Sequence, residues 1–176
     1  MRPLSEHRAL EVLDEATGRL RSHISTYELQ AKSCVTCETP GACCLDAHFV
    51  NVRITRLEAV RIQRALSTLE DGLRVRVAER IDDSITRYKL TATADASEQK
   101  FACPLFQAGT GCLVHNDGKP VPCIVHACYE SKTDLPPDTL QVEAELAIDR
   151  LNTRVYGRSQ PQLPLPVAIT RWRVCA

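Results

Sequence analysis

Eight of the nine cysteines fall into two short segments of the chain, and thiols grouped in this way bind metal ions or carry redox chemistry. Cys34 and Cys37 are separated by two residues, a spacing that lets two thiolates turn toward one ion. The candidate metal ligands are Cys34, Cys37, Cys43 and Cys44 in the first cluster and Cys103, Cys112, Cys123 and Cys128 in the second cluster.

The adjacent pair Cys43 and Cys44 is the unusual part of the first cluster. Side chains of neighbouring residues in extended backbone point to opposite sides, so two such thiols do not readily bind the same ion. Either one of the pair binds while the other packs, or each serves a different centre. Eight thiols fit two four-cysteine centres, or one centre accompanied by packing or redox cysteines.

The second cluster contains residues typical of a rigid ligand loop. Cys103 precedes Pro104, a pairing that recurs beside iron–sulfur clusters and that zinc sites also tolerate. Gly109 and Gly111 allow the sharp turn that would bring Cys112 back toward Cys103. We therefore expect these two cysteines to lie close together.

Composition limits the other roles that these thiols can have. Basic and acidic residues number 22 each, so no net field attracts nucleic acid or an anionic membrane. No apolar run approaches the 18 or so residues of a membrane span, and the chain is predicted to be cytoplasmic. Disulfides do not persist in a reducing cytosol, which favours metal binding over a disulfide framework or buried packing thiols. Cys175, far from the other cysteines, is the one left over.

Periodic patterns predict the helices that must hold these clusters. Apolar residues at three- and four-residue spacing predict an amphipathic helix between positions 5 and 32. Thr55 and Glu58 have capping-box spacing, which predicts a helix over 56–69, and the pattern resumes over 73–90 after Asp71 and Gly72. A further helix is predicted to begin after Pro137 and to stop at position 157.

The remaining segments are predicted to contain little regular structure. A short strand is expected over 48–54, an exposed mobile linker over 91–100, and an irregular proline-rich tail over 159–166. The predicted fold is a small, mainly α domain with two cysteine-rich loops and little β structure. Its parts are an N-terminal amphipathic helix (1–33), a cysteine-cluster metal-binding domain (34–130), and a C-terminal helix with a proline-rich tail packed on the same domain (131–176).

The order of the cysteines and of the motifs between them resembles one known family. The matching segments are the first cluster, Ile54-Thr55-Arg56-Leu57-Glu58, Cys103-Pro104-Leu105, Gly111-Cys112 and Lys119-Pro120-Val121-Pro122-Cys123. Together they resemble the YkgJ-like CxxCxxCC cysteine-cluster family, described as zinc- or iron-chelating domains. The resemblance covers about residues 34 to 130. It implies a metal-binding domain, and a relative in the flagellin lysine methylase is associated with an iron–sulfur cluster.

The expected function is metal binding through the eight clustered cysteines. All-thiolate ligation suits both zinc and iron–sulfur clusters, and the methylase relative favours the cluster. His48, His115 and His126 are alternative ligands or supporting polar groups. No glycine-rich phosphate loop, serine nucleophile elbow or His-Glu-x-x-His helix is present, so non-enzymatic metal binding is preferred.

Two other functions remain open from the sequence. The chain is alternatively a redox or modification-enzyme accessory protein that uses an iron–sulfur centre, or a metal-delivery or metal-sensing protein. Its expected partner is a metal ion or cluster, with a second protein as a further candidate. Neither a membrane nor nucleic acid is expected.

Overall fold

The computed structural model describes residues 3–31, 41–45, 51–93, 99–129 and 131–172. Helix makes up 60% of the described residues and strand 7%, which confirms the prediction of a mainly α protein. The elements, in chain order, are α1 (Glu6–Glu28), α2 (Ala42–Leu45), β1 (Arg53–Ile54), α3 (Arg56–Ser67), α4 (Asp71–Arg87), β2 (Phe106–Gln107), β3 (Gly111–Cys112), α5 (Val121–Val125), a 3-10 turn (Lys132–Asp134), α6 (Asp138–Tyr156), β4 (Leu163–Pro164) and α7 (Leu165–Arg171).

The first of two compact units comprises Met1–Pro40 and Pro120–Gln160. In it α1 packs against α5 and α6. The Leu4 amide donates to the Arg154 carbonyl (3.2 Å), so the start of α1 lies beside the end of α6. The Tyr156 hydroxyl reinforces this end by donating to the Glu6 carboxylate (2.7 Å). The amphipathic helix predicted near the N-terminus is confirmed, and its buried residues are Ala9, Leu10, Leu13, Thr17 and Ile24.

The second unit comprises Gly41–Lys119 and Pro161–Ala176. Helices α3 and α4 both pack against α7, and β1 pairs with β4 in antiparallel register, with Ile54 opposite Leu163. Burying each large aliphatic or aromatic side chain here contributes about 1.5–3 kcal/mol. The core includes Ile54, Ile62, Val77, Ile81, Phe101, Leu105, Val114, Leu165 and Ile169.

The capping and glycine patterns in the sequence predicted the start of α3 and the end of α6 correctly, and the break before α4 to within a few residues. The capping box of α3 is present in both directions, because the Glu58 amide donates to the Thr55 hydroxyl (3.3 Å) and the Thr55 amide donates to the Glu58 carboxylate (2.9 Å). The break before α4 covers 68–70, slightly earlier than predicted, and Gly72 lies inside α4. Helix α6 ends as expected at Gly157, which has a φ of 78°.

The prediction of an irregular tail over 159–166 is wrong at its end. Leu163 and Pro164 form β4, and Pro166 lies in the first turn of α7, where a proline loses no helical hydrogen bond because that amide would have no partner. The strand pairing recruits this segment to β1. The Leu165 amide also donates to the Val52 carbonyl (2.9 Å), which fastens the start of α7 to the chain before β1.

Two further predictions need correction. Of the strand expected over 48–54, only Arg53 and Ile54 are strand; positions 51 and 52 are irregular, and 48–50 lie outside the described residues. The linker expected over 91–100 is not exposed throughout, because Ala92 packs against the core and Gln99 is buried. Residues 94–98 lie outside the described ranges.

Both cysteine-rich segments contain short regular elements where they are described. Helix α2 carries the first doublet, and the second segment contains the β2–β3 hairpin and α5. None of the helices in the described ranges is long and apolar enough to cross a membrane.

Candidate metal centre

Cys43 and Cys44 lie on the single turn of α2, in helical backbone. Their side chains are therefore about 100° apart around the helix axis and do not point to opposite sides, as extended backbone would require. Gly41 starts the turn with a φ of 82°, and its carbonyl accepts from the Cys44 amide (2.8 Å). A side chain at Gly41 would collide with the ring of Phe106, so this loop packs directly on the second cysteine segment.

The β2–β3 hairpin returns the chain as predicted. Gly109 and Gly111 have φ values of 77° and 93°, which glycine adopts without strain. Phe106 is paired with Cys112, and the Phe106 amide donates to the Cys103 carbonyl (3.3 Å). Cys103 and Cys112 therefore lie at the base of one hairpin, and both pack against the apolar core of the second unit.

A main-chain hydrogen bond joins the two cysteine clusters. The Cys103 amide donates to the Cys44 carbonyl over 2.6 Å. Both residues are partly buried. The first doublet and the base of the hairpin are thus held together by backbone, independently of what their thiols bind.

The Cys103 thiol is electrostatically unusual. Burial raises its pKa to about 12, and the neighbouring Cys112 also raises it. Hydrogen bonds from the main chain at Leu105 and Phe106 act in the opposite direction, as does the positive charge of Arg80. Main-chain amides directed at a cysteine sulfur stabilise the thiolate, which is the form that binds metal. Without a metal, Cys103 is a protonated thiol at neutral pH.

Sequence analysis did not identify Arg80 and Phe106 as parts of this region. The Arg80 Nη1 group on α4 donates to the Phe106 carbonyl (2.7 Å), so α4 holds the strand that lies between Cys103 and Cys112. The available signal was position, since Arg80 is three residues after the buried Val77 and next to the buried Ile81. An arginine on the apolar side of a helix needs a polar partner.

Cys123 and Cys128 belong to the first unit. Cys123 lies on α5, where its amide donates to the Pro120 carbonyl (3.0 Å). Tyr129, directly after Cys128, forms an antiparallel bridge with Ala31. The chain segment that leads into the first cluster is therefore hydrogen bonded beside Cys128.

The described donors have the chemistry of a thiophilic metal site, but they do not form a complete one. Among the residues that the structure describes, no three His, Cys, Asp or Glu side chains are grouped so that they could hold an ion. His115 and His126 are exposed. The other predicted candidates, Cys34, Cys37 and His48, lie outside the described residues, as does Cys175. A four-thiolate site therefore needs a donor to move, or a donor from outside the described ranges.

No family model, curated protein or solved structure matches the chain. The family resemblance of the cysteine pattern therefore stays a prediction.

Proposed function

We propose that the protein is a cytoplasmic, non-enzymatic metal-binding protein whose cysteine thiolates hold an iron–sulfur cluster or zinc. The observation that carries the proposal is the environment of Cys103. Its sulfur receives main-chain hydrogen bonds at Leu105 and Phe106, has Cys112 beside it, and lies on a chain segment bonded to Cys44. Burial holds the metal-free thiol protonated, while the main-chain donors would support the thiolate that a bound cation requires, and thiolates select zinc and iron–sulfur clusters over harder cations.

The described candidate ligands are divided between the two units. Cys123 and Cys128 belong to the first unit, and Cys43, Cys44, Cys103 and Cys112 belong to the second unit. Cys34 and Cys37 lie outside the described residues and are the sequence candidates that would complete the first set. Four thiolates complete the ligand set of a zinc ion or of an iron–sulfur cluster. We therefore propose one four-cysteine centre in each unit, with each centre drawing on both clusters of the sequence.

In the second unit, loading has to draw the thiols of α2 toward Cys103 and Cys112. The backbone already brings these segments together through the Cys44–Cys103 hydrogen bond, so the movement required is one of side chains and of a single helical turn. When a metal ion orders the segments that carry its ligands, binding is coupled to local folding. The free energy of metal binding then offsets the entropy lost in ordering those segments.

The deciding experiment is anaerobic purification followed by iron, zinc and acid-labile sulfide analysis with an absorption spectrum. Iron with an equal amount of sulfide and visible absorption identifies a cluster, whereas zinc without colour identifies a zinc protein. Two occupied four-cysteine centres predict two zinc ions or two clusters per chain. A protein that retains neither metal, even after anaerobic reconstitution with iron and sulfide or with zinc, would rule the proposal out.

A further inference from the structure

Cys44 and Cys103 belong to chain segments that lie in direct contact. The Cys103 amide nitrogen is 2.6 Å from the Cys44 carbonyl oxygen. Standard bond lengths place the Cα of Cys103 about 1.5 Å from that nitrogen and the Cα of Cys44 about 2.4 Å from that oxygen. The two Cα atoms are therefore at most about 6.5 Å apart, since no arrangement of these bonds extends further. One cysteine comes from each cluster of the sequence, so only the fold brings them together.

This separation lies within the range of a disulfide. Cysteines joined by a disulfide have Cα atoms about 4.4–6.8 Å apart, and a pair beyond about 7 Å cannot be joined without backbone movement. Both residues are free cysteines, and both are partly buried. The distance between the two segments therefore allows the bond to form while the main-chain hydrogen bond between them stays in place.

The turn that carries Cys44 is short enough to adjust the approach of the two Cβ atoms. Helix α2 is a single turn, and the Gly41 carbonyl accepts from the amides of Cys44 (2.8 Å) and Leu45 (3.0 Å). A disulfide brings the Cβ atoms to about 3.8 Å, which requires side-chain rotation and a small rotation of the turn. A single turn makes such a rotation at lower cost than a long packed helix, because fewer contacts move with it.

The number of thiols that the backbone brings together also suits this chemistry. In the ranges that the structure describes, no group of three His, Cys, Asp or Glu side chains is placed to hold an ion. A disulfide needs two thiols and no ion. The described backbone therefore already meets the distance requirement of a thiol–disulfide reaction at Cys44 and Cys103.

We propose that Cys44 and Cys103 are a redox-active pair that forms a reversible disulfide between α2 and the chain before the β2–β3 hairpin. The oxidant is a small disulfide such as oxidised glutathione. One cysteine thiolate attacks a glutathione sulfur and releases one glutathione thiol, and the second thiolate attacks the mixed disulfide and releases the other. Two protein thiols are thus oxidised to one disulfide, oxidised glutathione is reduced to two thiols, and these receive the two protein protons. In a reducing compartment such bonds are transient and sense redox state.

The disulfide would change what the two sulfurs can bind. Neither sulfur is then a thiolate, which is the form that binds metal. Under the proposed function, oxidation therefore removes Cys44 and Cys103 from the candidate ligands of the second unit. The disulfide itself does not depend on the proposed function, because it forms in the metal-free protein.

The test is equilibration of the reduced, metal-free full-length chain with mixtures of reduced and oxidised glutathione, followed by alkylation of the remaining thiols. As the proportion of oxidised glutathione rises, a bond between Cys44 and Cys103 should form, with the loss of about two alkylatable thiols per chain. Dithiothreitol should restore them. Fragmentation of the cross-linked peptides in a mass spectrometer identifies which cysteines are joined.

Cys43→Ser is the matched control, because Cys43 precedes Cys44 on the same turn and is also partly buried. This variant should form the Cys44–Cys103 bond at a glutathione ratio within about twofold of the wild-type ratio. Cys44→Ser and Cys103→Ser should each abolish it. Circular dichroism of each reduced variant checks its fold, and Cys44→Ala replaces Cys44→Ser if the helical signal falls.

Two results would overturn the inference. One is wild-type protein that forms no bond between Cys44 and Cys103 at any glutathione ratio. The other is a cross-link that joins either residue to a different cysteine in its place. Both results leave the proposed function standing, since the iron, zinc and sulfide analysis decides it separately.

Discussion

The Cys103 amide donates to the Cys44 carbonyl over 2.6 Å, and this bond places the chain at Cys103 against α2. The contact uses main-chain atoms only. A substitution that changes either thiol therefore leaves the contact in place, and this allows the ligand role of the side chains to be tested without dismantling the loop.

Cys103→Ser should remove the metal of the second unit and retain that of the first. A serine hydroxyl is a poor ligand for zinc and for iron–sulfur clusters, while its amide still bonds to Cys44. Metal analysis should then give about half of the wild-type content if each unit holds four thiolate ligands. Cys128→Ser should remove the other half, and the double variant should bind none.

Cys175→Ser is the control for these variants and should retain the full metal content. If Cys103→Ser and Cys128→Ser each remove all of the metal, a single centre replaces the two that we propose. Full retention in Cys103→Ser would exclude Cys103 as a ligand.

Removal of metal should destabilise the protein. Structural zinc contributes on the order of 10 kcal/mol to the folding of small peptides, so even part of that contribution would be visible in a melting curve. We expect a chelator to lower the melting temperature and to decrease the helical circular dichroism signal, because the short elements α2 and α5 carry predicted ligands. An unchanged melting temperature after verified metal loss would contradict a structural role for the metal.

Gly41→Ala should destabilise the second unit by about 2–4 kcal/mol. The new methyl group would be forced into the ring of Phe106, and the residue would also have to keep a φ of 82°. Gly109→Ala is the matched control, because Gly109 has a similar φ of 77° but open space around it, so only the backbone strain remains. Urea unfolding gives the free energy of unfolding of the Gly41→Ala and Gly109→Ala variants.

A second variant separates the collision from the strain. Combining Gly41→Ala with Phe106→Ala should cost less than the sum of the two single changes, since the truncated side chain leaves room for the methyl group. Additive losses in that double-mutant cycle would show that Phe106 does not restrict position 41.

Gln63→Glu should destabilise the packing of α3 on α7. The Gln63 side-chain amide donates to the carbonyls of Ile169 (2.7 Å) and Trp172 (2.9 Å), which lie at the C-terminal end of α7. A carboxylate there would face two oxygen atoms at the negative end of the helix, at a cost of about 2–3 kcal/mol. Chemical unfolding should show that Gln63→Met lowers the free energy of unfolding less than Gln63→Glu does. A Gln63→Glu variant no less stable than Gln63→Met would contradict this bonding.

Thr55→Ala should lower the free energy of unfolding by about 1–2 kcal/mol, because Thr55 and Glu58 cap α3 reciprocally in a buried setting. Ser5→Ala removes a comparable cap at α1, where the hydroxyl accepts from the Arg8 amide (3.3 Å) at an exposed site. Thermal unfolding should show the smaller effect for Ser5→Ala. Equal effects would mean that burial adds nothing to the cap.

The features that sequence predicted best depend on neighbouring residues. The start of α3 follows from Thr55 and Glu58, three residues apart, and the stop of α6 follows from Gly157. The return of Cys112 toward Cys103 was likewise encoded in Gly109 and Gly111. In each case the determining interactions lie within a few residues, where propensity and capping operate.

The features that sequence missed depend on distant partners. Residues 163 and 164 have no regular pattern of their own and become a strand only by pairing with β1, where Leu163 lies opposite Ile54 and Pro164 opposite Arg53. The role of Arg80 depends on a carbonyl 26 residues away. Periodicity within one helix cannot show which loop lies beside that helix. For the same reason, the sequence could not predict how the described cysteines are divided between the two units.

The pairing of β1 with β4 also determines when the second unit can complete its fold during synthesis. Its core includes Leu163, Leu165 and Ile169. The segment Gly41–Lys119 therefore cannot complete its hydrophobic core while it is still emerging from the ribosome. Until the chain beyond Pro161 has been made, Cys103 and Cys112 therefore pack against an incomplete core. Under the proposed function, we expect this unit to take up metal only after its synthesis is complete.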